Sequence, residues 1–160
     1  MGLDFTGYVL RKGETLDDIW KMPYEEIRKR EVFYARKGWE LVYVLNCDTN
    51  NSCTSRLEKK DWETLMKDLA PIGPKLRAIA AAYETYYNDE GDDDEFKRNY
   101  RKEYKLIKTY ENWYNSTFDY IPILGYDFSV GYMLNFWEAR HKVLKYLDNP
   151  DFEIWMVASY

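Results

Sequence analysis

Along most of this chain apolar residues recur at every third or fourth position, and they alternate only in a few short stretches. That pattern predicts helices supported by a small sheet. Residues 4–10, DFTGYVL, read as a short strand that Lys12-Gly13 ends as a turn. Thr15 is placed to cap a first helical turn, with Asp17 and Asp18 near the positive helix end. Pro23 suits the first position of the next helix. From Tyr24 onward, Ile27, Glu31, Tyr34, Gly38, Leu41 and Leu45 recur at helical spacing, which predicts one long helix over 24–45. The run Trp39 to Leu45 taken alone is short and β-rich and also fits a strand; the unbroken period assigns it to the helix.

Residues 46–56 form a polar loop, and Ser55 with Glu58 has the spacing of a capping box. A helix is expected over 58–69, with Leu57, Trp62, Leu65, Met66 and Leu69 inward, ended by Pro71, Gly73 and Pro74. Another is expected over 75–87, where Leu76, Ile79, Ala80, Tyr83 and Tyr87 share a face. A third, over 94–115, has an inner stripe of Phe96, Tyr100, Tyr104, Ile107 and Tyr114 and an outer face of Lys97, Arg98, Arg101, Lys102, Lys105 and Lys108. Phe118 to Leu124 reads as a short edge strand carrying Pro122. Gly125-Tyr126-Asp127 reads as a turn. The last helix, over 129–148, places Val130, Met133, Leu134, Trp137, His141 and Leu144 on one face, and Asn149-Pro150 stops it. Phe152 to Val157 is a closing strand. The expectation is therefore an α+β fold, a mainly helical single domain over 1–160 whose small sheet can pair the two terminal strands. There is no internal repeat and no linker.

Composition adds two points. The chain of 160 residues carries 16 Tyr, 7 Phe and 6 Trp, so a small core is filled largely with rings. Tyrosine and tryptophan are also enriched at interfaces, because each joins a large contact area to a polar tip. The formal net charge of −5 argues against broad nucleic-acid binding and against an anionic membrane surface, and is compatible with a basic protein partner. Cys47 and Cys53 form no CxxC pair, so no metal site is expected and both read as reduced thiols. No apolar run approaches the ~20 residues of a membrane span, and no signal peptide opens the chain, so a cytoplasmic location is expected.

No GxSxG, Walker A, GxGxxG or HExxH pattern is present, so no catalytic residue and no cofactor can be assigned. The lone histidine, His141, reads as a buried core residue. Asp127, beside Gly125, reads either as turn chemistry or as a site residue. Residues 89–95 hold six acids: Asp89, Glu90, Asp92, Asp93, Asp94 and Glu95. Such a run is a solvated loop, a stabiliser of the helix that follows, or a contact for a basic partner. In the last case Asp89, Glu90, Asp92 and Asp93 are the partner-binding residues. EF-hand spacing is missing, which disfavours a metal.

The opening Met1-Gly2-Leu3-Asp4 resembles that of a family of small, functionally uncharacterised phage and prophage proteins beginning MGLDMY. Three further places are similar to it. Glu31-Val32-Phe33-Tyr34-Ala35-Arg36-Lys37 looks like the family's EVxYxRK stretch, a helix, in which Glu31, Tyr34, Arg36 and Lys37 are the motif residues. Gly125-Tyr126-Asp127 resembles its GxxxYDxxY segment, with Tyr126 and Asp127 as the match. Phe152 to Tyr160 resembles its closing strand. The resemblance implies a phage setting in a bacterial host and implies no activity.

Two classes of function follow. The first is stoichiometric binding to a host protein with a basic surface, as inhibitors of host defence such as anti-CRISPR proteins act. The second is a small enzyme or nucleotide-binding protein with a site around Asp127, Glu31 and Arg36. A deep pocket with convergent polar groups favours the second, and a convex acidic or aromatic surface favours the first. The oligomeric state is not legible.

Overall fold

Strand β1 (Asp4–Arg11) lies inside a four-stranded antiparallel sheet, bonded on one side to β2 (Glu31–Arg36) and on the other to β4 (Phe152–Ser159). A three-residue strand, β3 (Thr54–Arg56), adds to the far edge of β4, giving the order β2-β1-β4-β3. The terminal strands are thus neighbours, with Asp4 opposite Ser159 and Arg11 opposite Phe152. In the computed structural model, residues 3–47, 54–119, 121–122 and 124–159 are described. They divide into two compact units, Met1–Lys67 with Asn135–Tyr160, and Asp68–Leu134. The fold is α+β and mainly helical.

Successive strand residues point to opposite faces, and each face of the sheet in the first unit has its own packing. On one face Phe5, Gly7 and Val9 lie level with Ala35, Phe33, Ala158, Met156 and Ile154, all buried. Phe33 stacks on Phe5 at 5.7 Å and on Trp62 at 5.6 Å, and packs tilted against Phe136 at 4.7 Å. Gly7 lies beneath that ring: a Cβ there would come within 2.4 Å of Phe33 Cζ, so no side chain fits without displacement. On the other face Tyr8 and Leu10 pack with Ile19 of helix α1 (Leu16–Trp20). Thr15 closes the capping box of α1 with Asp18, as its position in the sequence implies.

Helix α2 (Tyr24–Arg30) follows Pro23. Its last residue, Arg30, forms a two-pronged pair with Glu14 at 2.8 and 3.1 Å and also donates to the Val9 carbonyl oxygen. Glu14 in turn accepts from the Arg11 backbone N–H. These bonds hold the Glu14 carboxyl below the usual carboxylate range, the Arg30 guanidinium being the main cause.

The long helix expected over 24–45 does not form. The chain leaves α2 at Arg30, runs as β2, turns at Lys37 with φ 56°, and only then enters helix α3 (Trp39–Val44). Three members of the helical pattern, Glu31, Tyr34 and Gly38, are not large apolar residues. The real signal in 31–36 is alternation: Phe33 and Ala35 face the core, while Tyr34 and Arg36 face out. Tyr34, one of the positions at helical spacing, is 44% exposed. Conversely the β-rich run from Trp39 is helical and buries Glu40, Leu41 and Val42, with buried Leu45 one turn on from Leu41. Residues 48–53, including Cys53 and most of the expected polar loop, lie outside the described residues; Cys47 is buried. Helix α4 (Lys59–Leu69) buries Trp62, Leu65 and Leu69 as its period implies.

The second unit is helical. A 3-10 turn (Gly73–Lys75) leads into α5 (Leu76–Asn88), followed by α6 (Asp93–Asn99), α7 (Arg101–Thr117) and the first half of α8 (Tyr126–Leu147). The helix expected over 94–115 is two helices, broken at Tyr100 with φ −127° and ψ 58°. Tyr110 and Ser129, both buried, share a hydrogen bond of 2.6 Å, and the Ser129 hydroxyl also lies 2.7 Å from the Tyr126 carbonyl oxygen. The Trp113 indole N–H donates to the Asp68 carbonyl oxygen at 3.0 Å. No strand runs through the described residues of 118–124; the Gly125 N–H reaches the Pro122 carbonyl oxygen in a turn instead. His141 is exposed rather than buried. The buried line of α8 runs through Val130, Met133, Phe136 and Val143, and His141 lies about 140° around the helix from Phe136 at ~100° per residue.

Two measurements check these contacts. Gly7→Ala should cost about 1–3 kcal/mol by overpacking against Phe33, read as a lowered urea midpoint at unchanged slope; an unchanged midpoint would mean the ring yields freely. Glu14→Gln should cost about 1–2 kcal/mol at neutral pH, since the pair is charge-assisted but partly solvated. Because the folded carboxyl titrates below its unfolded value, its contribution is complete above the unfolded value and fades as pH falls through the folded one. Wild type and variant should therefore converge in acid, and a constant difference would contradict the Glu14–Arg30 clamp.

Candidate functional site

Helix α5 ends with three tyrosines, Tyr83, Tyr86 and Tyr87, at positions i, i+3 and i+4, which places their rings on one side. Helix α7 presents Tyr104, Ile107, Lys108 and Glu111 at the same kind of spacing. The start of α6 adds Asp93 and Phe96, and the start of α8 adds Gly125, Tyr126 and Asp127. Together they line a cleft of about 230 Å³ within the second unit. Pockets for drug-sized ligands usually measure ~300–1,000 Å³, so this one suits a single side chain or a small molecule.

Each carboxylate in the cleft has a phenol beside it. The Tyr86 hydroxyl donates to Asp93 at 2.7 Å, and the Tyr83 hydroxyl donates to Glu111 at 3.4 Å. The Tyr87 phenol stands against Asp127. All three phenols are pushed above their ordinary pKa: Tyr83 chiefly by burial, then by the Glu111 charge; Tyr86 chiefly by its bond to Asp93; Tyr87 by burial, then by the Asp127 charge. They stay protonated and act as donors, and their oxygens and the carboxylates keep lone pairs able to accept. Lys108 is the one cation among the lining residues. Its ammonium donates to Glu111 at 3.0 Å and lies 5.5 Å from the Tyr104 ring centroid. The three carboxylates are spread around the wall, and among the described residues no three Asp, Glu, His or Cys side chains gather as a metal ion requires.

Asp127 and Tyr126, singled out in the sequence, are both in this wall, but in the first turn of α8 rather than in a free turn. Gly125 makes the entry possible: its φ is +97°, and a Cβ there would lie 2.7 Å from Asp127 Oδ1. Of the acidic run, Asp93 lines the cleft. Asp92 is the N-cap of α6, accepting from the Glu95 N–H at 2.8 Å, so it serves the helix. Asp89 caps the C-terminus of α5 through its backbone, and Glu90 is exposed. Glu31, Tyr34, Arg36 and Lys37 belong to the first unit and are not among the residues that line the cleft. Arg36 pairs with Asp4 across the sheet at 3.9 Å, and the Tyr34 backbone N–H donates to Asn135. The residues missed in the sequence are Tyr86, Tyr104, Lys108 and Glu111. Their signal was the i, i+4, i+7 spacing of Tyr104, Lys108 and Glu111 opposite a tyrosine triplet, which reads equally well as core and solvated face.

No protein-family model, curated protein or solved structure matches the chain.

The pairing is testable by titration. In Asp93→Asn the Tyr86 phenol should ionise at lower pH than in the wild type, followed by the ¹³Cζ resonance, while Tyr87, raised by burial and then by Asp127, should not move. An equal shift of both would indicate a loosened fold instead.

Proposed function

We propose that the protein is a non-catalytic binding protein of phage origin that occupies a basic surface on a host protein, as inhibitors of host defence, anti-CRISPR proteins among them, do. The observation that carries this reading is the acceptor-lined cleft with the acidic run built into it. The run connects Tyr87 to Phe96, both of which line the cleft, so its charges stand beside the opening. Three carboxylates against one ammonium make the wall net negative, and Glu90, Asp94 and Glu95 extend that field into solvent. A field of this sign raises the encounter rate with a cationic partner. The resemblance of Met1 to Asp4 to the phage proteins supplies the setting, and among the described residues no helix is long and apolar enough to cross a membrane.

One observation favours an enzyme or nucleotide-binding protein: Asp127 does sit in a cleft with convergent polar groups. Phosphate is a poor fit there. It would face three carboxylates, and the one lysine is already spent on Glu111.

The test uses a host protein captured on the immobilised chain and then purified. Asp89→Asn with Glu90→Gln removes two charges that neither cap α6 through a side chain nor hold a phenol. Association should slow on the order of tenfold at low salt and lose much of its salt dependence, with the melting curve unchanged. Unchanged association in an intact fold would overturn the reading.

A further inference from the structure

We propose that the cleft of the second unit is an arginine socket: it takes the guanidinium of one arginine side chain presented by the partner. This rests on the protein-binding reading above and names the group that reading leaves open.

The wall is rich in acceptors and in ring faces and poor in donors. Asp93, Glu111 and Asp127 each give part of their capacity to a phenol, and a carboxylate has about four lone-pair sites, so each has capacity left. The phenols that donate to those carboxylates keep lone pairs able to accept. An anion would face three carboxylates, whereas a cation carrying several N–H groups finds acceptors. The chain itself supplies a precedent: the Tyr104 ring draws the Lys97 and Lys108 ammoniums to 5.3 and 5.5 Å, and Lys108 also donates to Glu111. The volume of about 230 Å³ fits a side-chain head.

Guanidinium is favoured over ammonium by shape and hydration. It is planar, so it slides between aromatic faces; it offers five N–H donors in a fixed fork; and it is more weakly hydrated than an ammonium. A quaternary ammonium uses the rings but leaves the carboxylates without hydrogen bonds.

The experiment is an NMR titration of the full chain with N-acetyl-arginine methylamide, its lysine and trimethyllysine counterparts, and free arginine, followed on tyrosine ring resonances. The arginine amide should shift Tyr86, Tyr87, Tyr104 and Tyr126 and bind at least tenfold more tightly than either lysine form. Free arginine should bind more weakly than the amide, because its carboxylate meets the acidic wall. Asp127→Asn should weaken binding at least fivefold with an unchanged melting curve. Should that variant fail to fold, Glu111→Gln serves, since it removes one acceptor and releases Lys108 into the cleft. Absent ring shifts, tighter binding of trimethyllysine, or full affinity in both folded variants would each overturn the proposal. The titration needs no partner, so its failure leaves the partner kinetics standing, and slow association in Asp89→Asn with Glu90→Gln is read independently of it.

Discussion

A protein that fills its interior with tyrosine has to find a partner for every phenol it buries. The ring contributes apolar area, but a shielded hydroxyl left without a hydrogen bond costs roughly 1–3 kcal/mol, about what an ordinary mutation costs. In the second unit this constraint organises the helices. Of the buried phenols Tyr110 reaches Ser129 and Tyr83 reaches Glu111, and nearer the surface Tyr126 reaches Asn115 and Tyr86 reaches Asp93. Each bond joins a position on one helix to a position on another or to a helix start. The rings add directional contacts, among them the edge-on pairs of Tyr86 with Phe96 and of Tyr114 with Tyr126.

The cleft follows from the same requirement. Carboxylates are the natural acceptors for phenols, but they are charged and remain where water reaches them, so the pairs collect at an opening. A wall built to satisfy tyrosines is therefore also a wall that attracts organic cations. The first unit meets its demands differently: its core is Phe33 between Phe5, Trp62 and Phe136, rings without hydroxyls, and its charged clamp is Glu14 with Arg30.

What was legible in the sequence follows the strength of each period. Strands β1 and β4 and their pairing, and helices α4, α5 and α8, were readable because one apolar face persists through each, and Thr15 was readable as a helix cap. Residues 24–45 were not, because Glu31, Tyr34 and Gly38 keep helical spacing by accident while the burial of Phe33 and Ala35 by long-range packing selects the strand. The break at Tyr100 left no mark, since the apolar stripe continues across it. At the site, Asp127 and Asp93 were visible as unusual carboxylates. Their phenol partners were not, because Tyr83 and Tyr87 share a helix face yet differ sharply, at 8% and 62% exposed, and only the fold separates core ring from cleft wall.

The central claim, that the cleft is a cation site built from phenol–carboxylate pairs, is met most directly by a crystal of the protein soaked in a low concentration of guanidinium. The account predicts flat difference density between the rings of Tyr87, Tyr104 and Tyr126, with nitrogen atoms within hydrogen-bonding distance of Asp127 or Asp93. An empty cleft in crystals that bind guanidinium elsewhere, or an anion in that position, would contradict it.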